Sequence, residues 1–171
     1  MRVELVAPAE RYRDSVVQGL RELRDEGLPW HANLDLDAVE RDFAAYVRET
    51  LADAHQLTAL GVRRTHLWGV SGEQFVGRLA IQHDLTDALR ISGGHVGYDT
   101  VPSYRGRGVA RAMLQQALPV ARSLGLTEVL LTCDDTNAAS IRVIERNGGV
   151  LRKTKAIAPD RPLKRYYWIA L

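Results

Sequence analysis

The stretch Tyr98–Arg111, which reads YDTVPSYRGRGVAR, limits the possible folds more than any other part of the sequence. A strand-like run ends at Pro102, a glycine-rich basic turn follows, and a helix-forming run begins at Val109. Gly106 and Gly108 place no side chain where a ligand would approach the backbone. A strand, a glycine turn and a helix whose first amides lack intrahelical partners together predict a phosphate or pyrophosphate site. An ordinary exposed loop is the alternative.

Three arginines surround this turn with fixed positive charge: Arg105, Arg107 and Arg111. The formal net charge of the whole chain is only +2, which is too weak to indicate a nucleic-acid partner. The arginines also lie among glycines and not among interleaved aromatic residues. We therefore expect no nucleic-acid partner, and a nucleic-acid-binding module is the weakest function considered.

The size and composition of the chain favour one soluble domain. A chain of 171 residues can bury a sizeable core as a single domain over residues 1–171. Cys133 is the only cysteine, so an intramolecular disulfide is impossible, which fits a reducing compartment. No apolar run approaches the ~20 residues of a membrane span, and the N-terminus lacks the apolar core of a signal peptide. We expect a cytoplasmic protein with no membrane partner.

Two long helices are predicted in the N-terminal part of the chain. The first opens at Pro8, where proline is tolerated, and keeps apolar residues at helical spacing up to Gly27. The second is capped by Asp35 or Asp37 and continues to Leu51. Both helices precede the strand-rich middle of the chain.

The hydrophobic pattern predicts the order β–α–α–β–β–β–α–β–α–β–β over the whole chain. A hairpin is expected from Thr65 to Gln82, and the polar segment Asp84–Leu89 is predicted to be a loop. The run EVLLTC, Glu128–Cys133, is too apolar for a half-exposed strand and is predicted to be a buried central one. One α/β domain with a mixed sheet is the simplest architecture.

This order and two motifs resemble the GNAT superfamily of acetyl-CoA-dependent N-acetyltransferases. The first motif is the acyl-CoA signature R-x-x-G-x-A, formed here by Arg105, Gly106, Arg107, Gly108, Val109 and Ala110. The second motif is Asn137-x-x-Ser140, on the helix after the buried strand. The resemblance is specific over Gly94–Val150 and topological elsewhere.

The resemblance implies a central mixed, splayed β-sheet of about seven strands flanked by about four helices. It implies that acetyl-CoA is the co-substrate and that its pantetheine arm lies between the strand before the signature and the EVLLTC strand. The backbones of Tyr98 and Thr100, chosen by strand alternation, would bind the pantetheine amides. The amides of Gly106–Arg111 would hold the pyrophosphate, Asn137 would reach the pantetheine, and Ser140 would lie near the thioester sulfur.

Acetyl transfer needs a neutral amine, a polarised carbonyl and a proton for the leaving thiolate. His95 and Asp134 are the candidate bases, the first for its titration range and the second for its place beyond the central strand. A structural histidine and a helix-capping carboxylate, at Asp134 or Asp135, are the open alternatives. Many family members carry a tyrosine acid where this chain has Ile144. Ser140, with water, is the nearest replacement.

The acceptor amine, a small molecule or a peptide, is expected to meet the N-terminal half of the chain. Trp30 is a candidate pocket wall, and Asp25 or Glu26 a candidate for attracting an ammonium group; surface or packing roles are the alternatives. The histidines show no metal-ligand spacing, so we expect no metal.

The favoured function is an N-acetyltransferase that moves an acetyl group directly from acetyl-CoA to an amine. A non-catalytic acyl-CoA-binding or sensing domain is the alternative, motivated by Ile144 and by the lack of a secure base. The aromatic run Tyr166–Trp168 fits either internal packing or a homodimer interface.

Overall fold

The computed structural model describes residues 1–28, 31 and 34–171, and it arranges the strands in two antiparallel sheets. The four-stranded sheet contains, in spatial order, β1 (Glu4–Val6), β2 (Arg64–Ser71), β3 (Gln74–Gln82) and β4 (Val96–Thr100). The three-stranded sheet contains β5 (Glu128–Asp134), then β7 (Lys164–Ala170), then β6 (Val150–Lys155). The predicted α/β class and the predicted hairpin are confirmed, whereas the single mixed sheet is divided in two.

The division of the sheet occurs where β4 and β5 meet and then separate. His95 donates its N–H to the carbonyl of Leu130 at 2.7 Å, and a single β-bridge joins Gly94 to Leu131. Gly94 has φ 71°, and a Cβ at this position would lie 2.3 Å from the Leu130 carbonyl oxygen. Glycine is therefore required for the two backbones to touch. Beyond this contact, which we call the apex, β4 pairs with β3 and β5 pairs with β7, so a V-shaped opening forms.

The helices are α1 (Arg13–Asp25), α2 (Leu36–Arg41), α3 (Phe43–Ala52), α4 (Asp87–Ile91), α5 (Val109–Ser123) and α6 (Ala138–Glu145). The first begins later than predicted, because the residues after Pro8 form a short 3₁₀ turn. The second predicted helix is two helices, because Asp42 leaves the helical conformation and caps α3 by accepting the N–H of Ala45. The segment predicted as a loop contains α4, which Thr86 caps.

Two groups of helices cover opposite faces of the four-stranded sheet. Helices α1 to α3 enclose one core with Trp68 and Phe75, and α5 and α6 enclose the other with Tyr167. A Cβ at Gly69 would lie 2.4 Å from the sulfur of Met113, so this glycine allows α5 to pack closely against the sheet. That packing fixes the N-terminus of α5 beside the end of β4.

The C-terminal aromatic run contributes to internal packing. Tyr167 is fully buried and donates its hydroxyl to Glu145 at 3.1 Å, and the Tyr166 hydroxyl donates to the carbonyl of Ile91 at 2.8 Å. A homodimer interface through these strands stays a prediction. Within the described residues, none of the helices has the length and apolarity needed to cross a membrane.

Candidate active site

A cleft of about 700 Å³ occupies the V-shaped opening between β4 and β5. Residues on both sides of the opening line it, including Gly97, Tyr98, Asp99, Leu131, Thr132, Ser140, Ile144 and Lys164. Of the three catalytic candidates predicted from the sequence, Ser140 alone lines this cleft. His95 and Asp134 lie outside its lining.

Among the described residues, the backbone edge of β4 that faces this cleft pairs with no further strand. Val101 donates its N–H to the carbonyl of Val76 at 3.0 Å, so the backbone of this residue faces β3. Because hydrogen-bonding direction alternates along an antiparallel strand, the backbone groups of Tyr98 and Thr100 point the other way, toward the opening. A further extended chain can therefore hydrogen-bond to this edge, as another strand would. Pantetheine binding by these two residues stays a prediction.

The turn after β4 leads into an uncapped helix N-terminus. Gly106 and Gly108 have φ 73° and 80°, in the left-handed region, and a Cβ on either would meet nothing within 4 Å. Both glycines are thus required by conformation, and the space outside them is open. Gly108 is the N-cap of α5 and offers no side-chain cap, and the first turn has no acidic residue. The first amides of Val109–Arg111 are left to attract an anion.

The signature arginines play different structural parts. The guanidinium of Arg105 forms a two-pronged ion pair with Glu26, with one contact at 2.7 Å, and also donates from Nε to the Thr100 carbonyl at 3.3 Å. Arg105 therefore fastens the turn to the end of α1, and Glu26 is already engaged by a cation. Among the described residues no carboxylate forms an ion pair with Arg107 or Arg111, and the Arg107 guanidinium lies 5.6 Å from the ring centre of Tyr104. Arg107 and Arg111 are the cations left free to attract an anion.

Asn137 is the cap of α6, because its Oδ1 accepts the N–H of Ser140 at 3.0 Å. The capping alternative for Asp134 or Asp135 is therefore wrong, since the asparagine occupies that position. The side-chain NH₂ group of Asn137 stays available as a donor. Asp134 instead forms an ion pair with Lys164, whose side chain lines the cleft.

His95 lies at the apex and forms part of the contact between the two sheets. Its Nδ1 accepts the N–H of Leu130 at 2.9 Å, and its ring packs edge-on to Trp168 at 6.3 Å. Burial, with a smaller effect from Arg90, lowers the pKa of His95 below its ordinary value, so the neutral ring is favoured. These contacts give His95 a structural role, and its role as a base stays a prediction.

The hydroxyl of Tyr98 is buried inside the cleft. It has no hydrogen bond of standard geometry among the described residues, although Ser140 is near enough to influence its titration. Burial raises the pKa of Tyr98 to about 12, and the Ser140 hydroxyl opposes this rise. The phenol is thus a persistent donor beside the serine of the second motif.

The cleft also extends over the four-stranded sheet, where His66, Ala80 and Gly97 line it, and we call this part of the cleft the groove. Its floor consists of small residues in register, since Ala80 pairs with both His66 and Gly97. Polar pairs border it on each side: Arg64 donates to Gln82 at 3.1 Å, and Arg78 donates to Asp99 at 2.9 Å. The groove leads from His66 to the open edge of β4.

His66 connects the cleft with a second cavity of about 300 Å³, because this residue lines both. Its Nε2 lies 2.9 Å from a carboxylate oxygen of Asp53. Burial lowers the pKa of His66 more than the Asp53 contact raises it, so the ring is neutral near pH 7. If Nε2 donates to Asp53, Nδ1 has a free lone pair for a proton. No sequence motif indicates this pair, because a lone histidine on a strand and a distant aspartate share no spacing.

The sequence also suggests Trp30 and Asp25 for the acceptor pocket. Trp30 lies outside the described residues. Asp25 is exposed, its carboxylate lies 3.4 Å from Nε of Arg24, and it is not among the residues that line the cleft. Within the described part of the chain, no group of three or more His, Cys, Asp or Glu is arranged to hold a metal ion.

A family model described as an acetyltransferase (GNAT) domain matches residues 2–150. No curated protein sequence matches the chain.

Several solved structures have similar folds. One is RimL, a ribosomal L7/L12 alpha-N-protein acetyltransferase in complex with coenzyme A; it has a TM-score of 0.72 and 18% identity over 99% of this chain and 94% of RimL. A second is the microcin C7 self-immunity acetyltransferase MccE with acetyl-CoA and AMP, with a TM-score of 0.69 and 13% identity over 99% of this chain and 92% of MccE. A third is Mycobacterium smegmatis RimJ with a CoA disulfide, with a TM-score of 0.68 and 18% identity over 98% and 81% of the two chains.

Proposed function

The chain belongs to the GNAT acetyltransferase family and is an acyltransferase, and we propose that it moves an acetyl group from acetyl-CoA directly to an amine. One observation carries the choice of donor: the unpaired edge of β4 runs along a cleft and ends at the uncapped N-terminus of α5. An extended arm with amides fits the edge, and a pyrophosphate fits the helix terminus. Acetyl-CoA has both parts.

In this proposal the backbones of Tyr98 and Thr100 bind the pantetheine arm. The amides of Gly106–Arg111 bind the pyrophosphate, with Arg107 supplying charge. The NH₂ group of Asn137 donates to the arm from the opposite wall. The thioester then lies toward the apex, beyond the edge residues of β4 and near Ser140.

The acceptor amine reaches the thioester through the groove over Ala80 and Gly97. Its entrance is bordered by His66 and Arg78, which also line the second cavity. Two strand spacings, roughly 10 Å, separate β2 from β4, so the proton passes from the amine to His66 through water in the groove. Asp53 holds the ring and stabilises the imidazolium that forms. His66 thus takes the role of base for which the sequence suggested His95 or Asp134.

The bond changes balance within this arrangement. The amine nitrogen attacks the thioester carbonyl, the C–N bond forms and the C–S bond breaks. The nitrogen loses one proton by way of water to His66, and the sulfur gains one from Ser140. Ser140 regains a proton that comes ultimately from solvent water, and His66 releases its proton to the solvent. The products are an N-acetyl amine and free coenzyme A.

Thiol release from acetyl-CoA tests the proposal directly. The panel contains peptides with free N-termini, because RimL is described as acting on such an acceptor, together with lysine-like and small-molecule amines. The matched controls are the same peptides with blocked N-termini. Coenzyme A release coupled to an acetyl mass increase on the amine is the expected result. Binding of acetyl-CoA without release for any amine would instead support the non-catalytic acyl-CoA-binding alternative.

A further inference from the structure

The Tyr98 phenol is a buried polar group that the mechanism above does not use. Its ring lies on β4 and lines the cleft, while its hydroxyl is shielded from solvent and lacks a standard hydrogen bond among the described residues. A buried hydroxyl without a partner carries a desolvation cost, so such groups are uncommon unless a role requires them. The position of this hydroxyl inside the cleft points to a functional role.

The wall facing this phenol belongs to α6. Ser140 and Ile144 occupy successive turns there, and both line the same cleft. Ile144 is an apolar side chain that can donate no proton. Ser140 is held in place by the cap that Asn137 forms on its N–H, and it is near enough to Tyr98 to act on the phenol's titration.

We propose that the Tyr98 hydroxyl supplies, through Ser140, the proton that neutralises the leaving thiolate of coenzyme A. The inference rests on the proposed function, because it assigns a role in the same acetyl transfer. A serine alone is a poor acid, since its alkoxide is strongly basic. When the Tyr98 phenol passes its proton to Ser140, the negative charge ends on the phenolate, which is less basic than the serine alkoxide.

The proton balance is complete with water as the only other participant. As the C–S bond breaks, the sulfur takes the Ser140 proton and Ser140 takes the Tyr98 proton. The phenolate then regains a proton from water. Tyr98 acts through Ser140 and is therefore a positioning and proton-supplying residue that does not touch the sulfur.

The titration of Tyr98 is consistent with this role. Because burial raises its pKa to about 12, the phenol keeps its proton throughout the neutral range and stays a donor. The same burial prevents it from serving as the base that deprotonates the amine.

The variant Tyr98→Phe removes only this hydroxyl and tests the proposal. The measurement is the single-turnover rate of acetyl transfer at saturating amine and acetyl-CoA, with the dissociation constant of acetyl-CoA measured separately. We expect the rate to fall about 10- to 100-fold, in line with the usual contribution of a positioned proton donor, while the dissociation constant changes less than about twofold. The thermal midpoint should stay about the same, since the ring and its packing are retained.

Tyr12→Phe is the matched control. This ring is buried in the core formed with α1, and its hydroxyl accepts a hydrogen bond from Arg11 at 2.7 Å. The rate of this variant should equal that of the wild type. The double variant Tyr98→Phe with Ser140→Ala should be no slower than Ser140→Ala alone, because Tyr98 delivers its proton only through Ser140.

Three results would overturn the inference while leaving the proposed function intact. The first is a Tyr98→Phe rate within about twofold of the wild type, and the second is additive loss in the double variant. The third is a rate loss matched by weaker acetyl-CoA binding and a lower thermal midpoint, which indicates a packing role. Absence of transfer by the wild-type chain would instead contradict the proposed function itself.

Discussion

In the proposed function, the donor side and the acceptor side of the cleft are built in different ways. The donor side, from Tyr98 to Arg111, offers backbone groups: a strand edge and a helix N-terminus arranged by glycines. The acceptor side offers side chains from separate segments, such as Asp53 after α3 and His66 on β2. A backbone site serves any acyl-CoA carrier of the right length, whereas a side-chain site selects its substrate. The co-substrate can therefore be inferred from one stretch of sequence, whereas the acceptor site forms only when segments distant in sequence come together in the fold.

The largest effect is expected where a side chain is added to the donor backbone. Gly108→Val should weaken acetyl-CoA binding at least about 100-fold, because a β-branched residue resists φ 80° and covers the uncapped amides. Titration calorimetry gives the dissociation constant. Gly125→Val is the control, since Gly125 has φ 90° and open space at the other end of α5. Equal losses for both variants would show that general strain, and not a phosphate contact, is responsible.

On the acceptor side, His66→Gln should slow amine acetylation about 10- to 100-fold without changing acetyl-CoA affinity. The wild-type rate should rise with pH through the pKa of His66, which burial places below its ordinary value. Asp53→Asn removes the contact that raises this pKa, so the rise should move to lower pH. The measurement is the pH profile of kcat/KM. An unchanged profile in Asp53→Asn would contradict the proposed role of the pair.

A smaller effect separates the arginines of the donor side. Arg111→Ala should weaken acetyl-CoA binding about threefold to tenfold at low salt and less at high salt, because its charge is unpaired and exposed. Arg105→Ala should change affinity less, since Glu26 already neutralises that guanidinium. Salt-dependent titrations of both variants make the comparison. A larger loss for Arg105→Ala would show that its charge acts mainly on the phosphates and that its ion pair with Glu26 is the lesser contribution.

The smallest effect concerns the apex. The pKa of His95 is lowered in the folded protein, so the unfolded chain binds more protons below about pH 6.5 and stability falls as pH decreases through that range. Above the pKa that His95 has in the unfolded chain, its contribution to stability is fully present. Below that pKa, the free energy of unfolding falls by about 1 kcal/mol per pH unit until the pKa of the folded protein is reached. His95→Gln should flatten this dependence in urea unfolding series at pH 7 and pH 5. An identical slope in the variant would assign the acid sensitivity to His66 or His83 instead.

What the sequence predicted follows the same division between backbone and side chains. The glycine turn, the buried EVLLTC strand and the place of Asn137 were readable because each is encoded within a few adjacent residues. The split of the second helix at Asp42 was missed, because the apolar spacing continues across it and only the capping bond to Ala45 shows the break.

The site itself was predictable only where its parts lie close in sequence. His95 is a candidate base from the sequence because of its titration range and its place on the splayed strand, but in the fold its Nδ1 accepts the N–H of Leu130. His66 was overlooked because its partner, its floor residues and its cavity come together only through strand register. Likewise, the burial of the Tyr98 hydroxyl against α6 depends on how far β4 and β5 separate.

The apex has a consequence for the kind of carrier that can deliver the acetyl group. The strand β4 is five residues long, roughly 16 Å, and it lies between Gly94 at the closed end of the opening and the turn that leads to the N-terminus of α5. In the proposed function, the length of this strand sets how far the thioester lies from the phosphates. A thioester on a shorter arm, anchored by the same phosphates, stops short of the groove where the amine arrives. In that function, the length of β4 selects the length of the carrier.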